Sequence, residues 1–114
     1  MATVTALLIL LIAGHAICDY PLQGDYLAKS KNRNLSGDSA GWRLHLFYHA
    51  AIHCGMVFII THSIAMGLGE LVIHGVTDHL KCEKRISGRV DQAIHLASKV
   101  VWAVIAWRLQ WHGI

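Results

Sequence analysis

The stretch HLFYHAAIH, residues 45–53, places three histidines four residues apart within an otherwise apolar segment. At about 3.6 residues per turn, His45, His49 and His53 lie on one stripe of a helix and can face one target. An ionisable side chain in an apolar helix is costly unless it faces the interior of a bundle and finds a partner there. The stretch therefore predicts a helix that packs against other helices with this stripe turned inward.

The remainder of the chain indicates that those other helices are apolar too. It has 114 residues, of which 54% are hydrophobic and 15% charged, with a single proline. Apolar runs separated by polar segments rich in glycine and serine are typical of helical membrane proteins. We predict one all-α domain, a four-helix up-down transmembrane bundle, with helices at about residues 3–19, 43–63, 67–81 and 90–111 and polar loops at 29–42 and 82–89.

The first apolar run, Ala2 to Cys18, has an alternative interpretation as a cleaved signal peptide. No Lys or Arg precedes it, and no small-x-small site follows it. We therefore expect a retained transmembrane helix. The three cysteines of the chain lack C-x-x-C spacing and are expected to be buried apolar side chains.

Basic residues concentrate in the two polar loops and their flanks. The positive-inside rule then places both loops in the cytoplasm and makes the chain a multi-pass protein of the bacterial inner membrane. The third predicted helix, about 20 Å long, is the shortest crossing, and a re-entrant segment is the alternative. Because the net charge of +3 is modest and sits in short loops, we expect no nucleic-acid partner.

Imidazole and carboxylate side chains recur near one end of each predicted helix. The sets are His15 and Asp19, His45 with His49 and His53, His74 and Asp78, and Asp91 and His95, each spaced by four residues. In an up-down bundle all four sets lie at one depth, near the cytoplasmic face. Nitrogen and carboxylate donors presented in this way are typical of a zinc, manganese or iron site.

These sets predict a site for a divalent metal, with zinc as the expected ion. The expected ligands are His49, His74, Asp78 and His95, followed by His15 and His45, with Asp19 and Asp91 as the catalytic base or as additional ligands. His53 is expected behind the ligands, and Glu70 at the opposite end of its helix. The simpler alternative is a set of hydrogen-bonded or capping pairs, with Asp78 bound to Lys81.

Four further polar residues are expected near the same layer, where they would orient the ligands or bind an anion. They are Gln23, Lys29, Lys81 and Gln92. Their ligand would be an anionic lipid or a phosphate-bearing substrate. The alternative is that the positive-inside rule alone accounts for the lysines. Walker-type loops and G-x-S-x-G elbows are absent from the sequence, which excludes the common nucleotide-binding and serine-hydrolase mechanisms.

Four pieces of the sequence, HAICDYPLQ, HLFYHAAIH, LVIHGVTDHLK and VDQAIH, together resemble the domain-of-unknown-function 3307 family of small bacterial and phage membrane proteins. The resemblance implies a multi-helix membrane protein. It falls on Asp19, Gln23, Lys29, His49, Asp78, Lys81, Asp91, Gln92 and His95. A looser similarity, in the His and Asp pairs of short membrane helices, is to bacterial inner-membrane proteins labelled metal-dependent hydrolases.

Three functional hypotheses follow. The first is a metal-dependent hydrolase acting on a phosphate- or lipid-type substrate at the cytoplasmic leaflet. The second is a non-enzymatic metal-binding or ion-conducting bundle. The third is a holin-like or partner-binding small phage membrane protein whose histidines make interhelical hydrogen bonds. Because four helices, two of them short, bury little surface, we also consider a homo-oligomer within the lipid bilayer.

Overall fold

The computed structural model describes residues 3–36 and 41–111, and the side chains of these ranges as far as Leu109. Within them lie five α-helices and no strand. The helices are α1 (Val4–Asp19), α2 (Gly24–Ser30), α3 (Gly41–Thr61), α4 (Ile64–Cys82) and α5 (Gly88–Trp111). The predicted all-α class is confirmed, and the four predicted helices correspond to α1, α3, α4 and α5.

The short helix α2 is an addition to the four predicted helices. Pro21 follows the end of α1, where its ring and missing N–H disfavour continuation of that helix. The chain bends by 79° between α1 and α2. Asp25 in the first turn of α2 and Lys29 in the last turn both suit the helix dipole. The predicted loop at 29–42 therefore begins too early.

Helix α4 also begins earlier than predicted, at Ile64. The Ser63 hydroxyl caps it by accepting a hydrogen bond from the backbone N–H of Met66. His62 takes a positive φ of 58° in the tight turn that separates α3 from α4. Gly67, at which the third predicted helix begins, lies inside α4, where a Cβ would be 3.1 Å from the carbonyl oxygen of Cys54. This glycine serves close helix packing.

The four long helices form a ring. Helix α1 packs against α3 and α5, α4 packs against the same two helices, and α2 packs against α3. Gly69, early in α4, approaches Trp102, late in α5, whereas Lys81, late in α4, approaches Asp91, early in α5. Successive long helices therefore run antiparallel, in the predicted up-down order.

The interior of the ring has an apolar half and a polar half. The apolar half consists of Leu7, Leu11, Val57, Met66, Ala103 and Ala106. The polar half holds the buried histidines, carboxylates and lysines described below. It lies toward the ends of α1 and α4 and the starts of α3 and α5, which is the depth that the up-down order predicts.

The outer face of the ring is apolar. More than half exposed are Ile9, Leu10, Phe47, Ile59, Ile64, Leu68, Val72, Val76 and Val101. By length and composition α3 can cross a membrane, and α1 and α2 meet the same criteria only as one bent pair. Helices α4 and α5 carry charged residues within their apolar runs, and Glu70, Asp78 and Lys99 among them are buried.

Candidate metal centre

Five buried histidines from the four long helices lie in one layer. They are His15 on α1, His49 and His53 on α3, His74 on α4 and His95 on α5. The ring of His74 stacks against those of His53 and His95, with centroid distances of 3.6 and 4.1 Å. The structure therefore brings together imidazoles that are up to 80 positions apart in the sequence.

The Asp19 carboxylate lies in the middle of this layer. Its Oδ1 atom is 2.9 Å from Nε2 of His53, 3.3 Å from Nε2 of His49 and 3.8 Å from Nε2 of His74. Its Oδ2 atom is 3.2 Å from Nε2 of His15. Within the described part of the chain, every ion-pair partner of Asp19 is a histidine. Its charge is therefore balanced there only by a protonated histidine or by a bound cation.

Asp78, an expected ligand, lies 3.6 Å from Nε2 of His49 but also pairs with two lysines, one of them the Lys81 of the simpler alternative. Its Oδ2 atom is 2.5 Å from Nζ of Lys31, and its Oδ1 atom is 3.1 Å from Nζ of Lys81. Both ammonium groups would repel a cation at Asp78. Lys31 also donates a hydrogen bond to the Gln23 side chain. Lys29, expected near this place, is exposed, because a separation of two residues turns a helical side chain by about 200°.

Asp91 and His95 form a buried pair beside Asp19. Nε2 of His95 is 3.0 Å from Oδ1 of Asp91. The Gln92 amide donates hydrogen bonds to Oδ2 of both Asp91 and Asp19, over 3.2 and 3.3 Å, and its oxygen is 3.2 Å from Nε2 of His15. Gln92 therefore links the Asp91–His95 pair to the centre of the layer.

Glu70 and Lys99 form a buried ion pair that the sequence-based prediction missed. Their Oε1 and Nζ atoms lie 2.5 Å apart, and the Trp102 indole donates a 2.7 Å hydrogen bond to Oε2. Glu70 lies one turn before His74, with Oε1 3.7 Å from its Nδ1, so the expected separation from the site is wrong. The pattern that could have revealed the pair is the four-residue spacing of Glu70 from His74 and of Lys99 from His95.

The three histidines of residues 45–53 do not all lie in the layer. His53, expected behind the ligands, contacts Asp19 and His74 directly. His45, expected as a ligand, is half-buried, and its ring packs edge-on against Tyr26 at a centroid distance of 5.7 Å. One turn toward the start of α3 carries His45 out of the layer, so it joins none of the described donor groups.

Three groups of donors in the described chain are close enough to hold one ion. They are His15 with Asp19, His53 and His74; His49 with His74 and Asp78; and Glu70 with His74 and His95. The donor atoms of each group lie within 4.8 Å of one another. Nε2 atoms of His49 and His74 are 3.0 Å apart, a few tenths of an ångström closer than the separation of about 3.3–3.4 Å between two nitrogens bound at about 2.0–2.1 Å to one tetrahedral zinc. The layer is therefore capable of binding a divalent metal.

Arg33 and Glu83 form an ion pair at the loop end of the bundle. The Arg33 side chain donates hydrogen bonds to both carboxylate oxygens of Glu83, and the Asn34 amide donates another. These hydrogen bonds lower the pKa of the Glu83 carboxyl below its ordinary value, and the bond from Arg33 has the largest effect. Glu83 thereby ties the segment after α2 to the end of α4.

The family described as "Protein of unknown function (DUF3307)" matches residues 7–112. The chain belongs to this family. The match confirms the resemblance inferred from the four sequence pieces, and it spans the histidine layer and the buried Glu70–Lys99 pair. No curated protein and no solved structure matches the chain. Because the description of the family states no activity, the functional argument rests on the geometry of the layer.

Proposed function

We propose that this protein is an integral membrane protein that binds a divalent metal, zinc, around Asp19 and uses it to hydrolyse a phosphate- or lipid-type substrate. The observation that carries the proposal is the contact of one carboxylate with four imidazole Nε2 atoms from three helices. Neutral imidazoles and one carboxylate are the donors that zinc prefers. A divalent ion would also balance the charge of Asp19.

The distribution of polarity supports a membrane location. The outer face carries large apolar side chains, while six charged or imidazole groups of α4 and α5 are buried in the ring, namely Glu70, His74, Asp78, Asp91, His95 and Lys99. Water-soluble bundles have the opposite arrangement, and polar groups turned inward are typical of membrane-embedded helices. The basic residues of both loops favour the cytoplasmic side of a bacterial inner membrane for the polar half.

The proposed ligands differ from those expected from the sequence. We assign Asp19, His53, His74 and His15 to the metal. His49 belongs to a separate donor group with His74 and Asp78, and its Nε2 lies 3.3 Å from Asp19 Oδ1. Asp78 is a weaker candidate because Lys31 and Lys81 already neutralise it.

The reaction class follows from what surrounds these ligands. A zinc ion lowers the pKa of a bound water to about 7. The Asp91–His95 pair is the proposed base, because the Gln92 amide donates hydrogen bonds to both Asp91 and Asp19 and so holds this pair beside the proposed metal. Lys81, about one-third exposed, would attract an anionic substrate.

The apolar half of the interior disfavours ion conduction. Leu7, Leu11, Val57 and Met66 fill the ring beyond the polar layer. A cation at Asp19 would have to cross this packed segment to leave on the far side, at a high desolvation cost. A site that is reached from the basic loops and blocked on the far side fits this interior better than a pore.

The decisive experiment is elemental analysis of protein purified in detergent without added metal. We expect about one zinc per chain, lost in Asp19→Asn and in His74→Ala and retained in the control His62→Asn, which alters an exposed histidine and tolerates its positive φ. Phosphatidylglycerol vesicles then provide the test of hydrolysis, read as release of glycerol phosphate, glycerol or fatty acid. A folded wild-type protein without transition metal would refute the metal centre. A protein that binds the metal but does not hydrolyse the lipid would contain a non-enzymatic metal centre.

A further inference from the structure

A groove on the outer face of the bundle runs between α3 and α4. Its cavity of about 510 Å³ is lined mainly by apolar side chains, including Leu46, Phe47, Leu71, Val72 and Val76. Phe47, Val72 and Val76 are each more than half exposed. The groove is shallow because α3 and α4 approach each other closely at its floor. A Cβ at Gly75 would lie 3.6 Å from that of Ala50.

The groove opens at its loop end into a second, basic cavity of about 360 Å³. The two cavities share Trp42, Arg43, His79 and Leu80, and the second is also lined by Arg33, Glu83 and Arg85. The rings of Trp42 and His79 stack at the junction, 5.0 Å apart and 9° from parallel. The Arg43 guanidinium lies over the Trp42 ring.

The charge of the second cavity is unbalanced. Glu83 pairs with Arg33. In the described part of the chain no carboxylate pairs with Arg43 or Arg85, so two guanidinium groups remain for a ligand. Guanidinium groups bind phosphate oxygens in a bidentate manner. A long apolar groove that ends at two such groups has the polarity of a phospholipid.

We propose that this surface binds one anionic phospholipid, with an acyl chain along the α3–α4 groove and its phosphate at Arg43 and Arg85. The inference rests on the membrane location proposed above and is independent of the metal. The groove lies outside the ring, and the close approach of Ala50 and Gly75 separates it from the histidine layer. The lipid is therefore a bound component of the fold and is distinct from any substrate at Asp19.

Native mass spectrometry of the detergent-solubilised chain tests this proposal with phosphatidylglycerol and phosphatidylcholine as probes. We expect one phosphatidylglycerol per chain, bound about thirtyfold more tightly than phosphatidylcholine at low salt, because two arginines contribute. Arg43→Gln combined with Arg85→Gln should abolish the preference. The matched control, Lys84→Gln with Arg89→Gln, removes the same charge at the loop end of the bundle from two residues that do not line the cavity, and it should preserve the preference.

A second pair of variants tests the apolar part of the groove. Val72→Trp fills it and should weaken retention of both lipids, whereas Val101→Trp, at an equally apolar exposed position on α5, should not. Equal binding of the two lipids by the wild type, or equal losses in both charge variants, would overturn the proposal. So would a dimer that Val72→Trp dissociates, since the groove would then be a protein interface.

The same spectra separate this proposal from the metal centre. Arg43→Gln with Arg85→Gln should keep the metal mass, and Asp19→Asn should lose it while still binding phosphatidylglycerol. A metal-free wild type that retains the lipid would refute the metal centre alone. A wild type that stays in membranes after alkaline carbonate washing yet binds no lipid selectively would refute the groove alone.

Discussion

The Nε2 atoms of His49 and His74 lie 3.0 Å apart in the buried layer, although the two residues belong to different helices. In neutral imidazoles one of these nitrogens must donate and the other accept. Both also lie within 4 Å of Asp19 Oδ1, so one proton cannot serve all these contacts. A metal ion would satisfy several of these acceptors at once.

Metal removal should destabilise the fold. Donors on α1, α3 and α4 surround Asp19, so an ion there would link these helices in the folded state only. Free zinc at about 100 times its dissociation constant would add about 2.7 kcal/mol to the free energy of unfolding. We expect a chelator to lower the melting temperature in detergent, and zinc to restore it. Neither treatment should change the melting temperature of Asp19→Asn. A zinc-loaded wild type whose melting temperature is unchanged by the chelator would contradict the metal centre.

The Asp91–His95 pair predicts a separation of turnover from metal binding. Asp91→Asn preserves the shape of the side chain but removes the carboxylate that contacts His95. We expect hydrolysis of the vesicle substrate to fall by about 100-fold or more, with the metal content unchanged. Loss of the metal in this variant would instead make Asp91 part of the metal site.

Replacing Lys99 alone should destabilise the fold more than replacing both Glu70 and Lys99. Lys99→Met leaves the buried carboxylate of Glu70 without its cation, which costs about 3–5 kcal/mol of unfolding free energy. The double variant with Glu70→Gln should recover much of that loss. Thermal unfolding in detergent measures both, with the exposed Lys84→Met as the control. Equal losses in the single and double variants would show that charge pairing is not the cause.

Lys31 and Lys29 should behave differently although they are two residues apart. Lys31→Met removes the buried ammonium that contacts Asp78 and Gln23, and because Lys81 still contacts Asp78 we expect a loss of about 3 kcal/mol, the lower end of the range for a broken buried pair. Lys29→Met changes an exposed side chain and should alter stability by less than about 0.5 kcal/mol. Similar unfolding midpoints for the two variants would contradict the buried position of Lys31.

The contact between Arg33 and Glu83 predicts a pH-dependent contribution to stability. Because the pKa of Glu83 is lowered in the fold, its stabilising effect is present above its ordinary value of 4.5 and is lost as the pH falls through the lowered value. The wild type should therefore melt above Glu83→Gln at neutral pH, and the two curves should converge in acid. A difference that grew as the pH fell would have the wrong sign.

Several features of the site could be predicted because helical spacing is a local property. The four-residue intervals of His15 and Asp19, or of His74 and Asp78, place each pair on one stripe whatever the rest of the chain does. Short connections then make successive helices antiparallel, which brings the stripes to one depth. For these reasons the all-α class and the convergence of the four polar sets were predictable.

The choice of partner was not predictable in the same way. Lys31, and not Lys29, reaches Asp78 because the bend after Pro21 sets the direction of α2. Glu70 was placed too far away because the predicted helix began at 67, whereas α4 begins at Ile64.

The sequence by itself determined which residues lie on the inward stripes and that these stripes share a depth, since both follow from the helical repeat and the chain order. Only the tertiary structure decided that Asp19 contacts four histidines while Asp78 also pairs with Lys31 and Glu70 with Lys99. The physical reason is that a partner within about 4 Å depends on the rotation and bend of each helix, and packing between distant segments sets both.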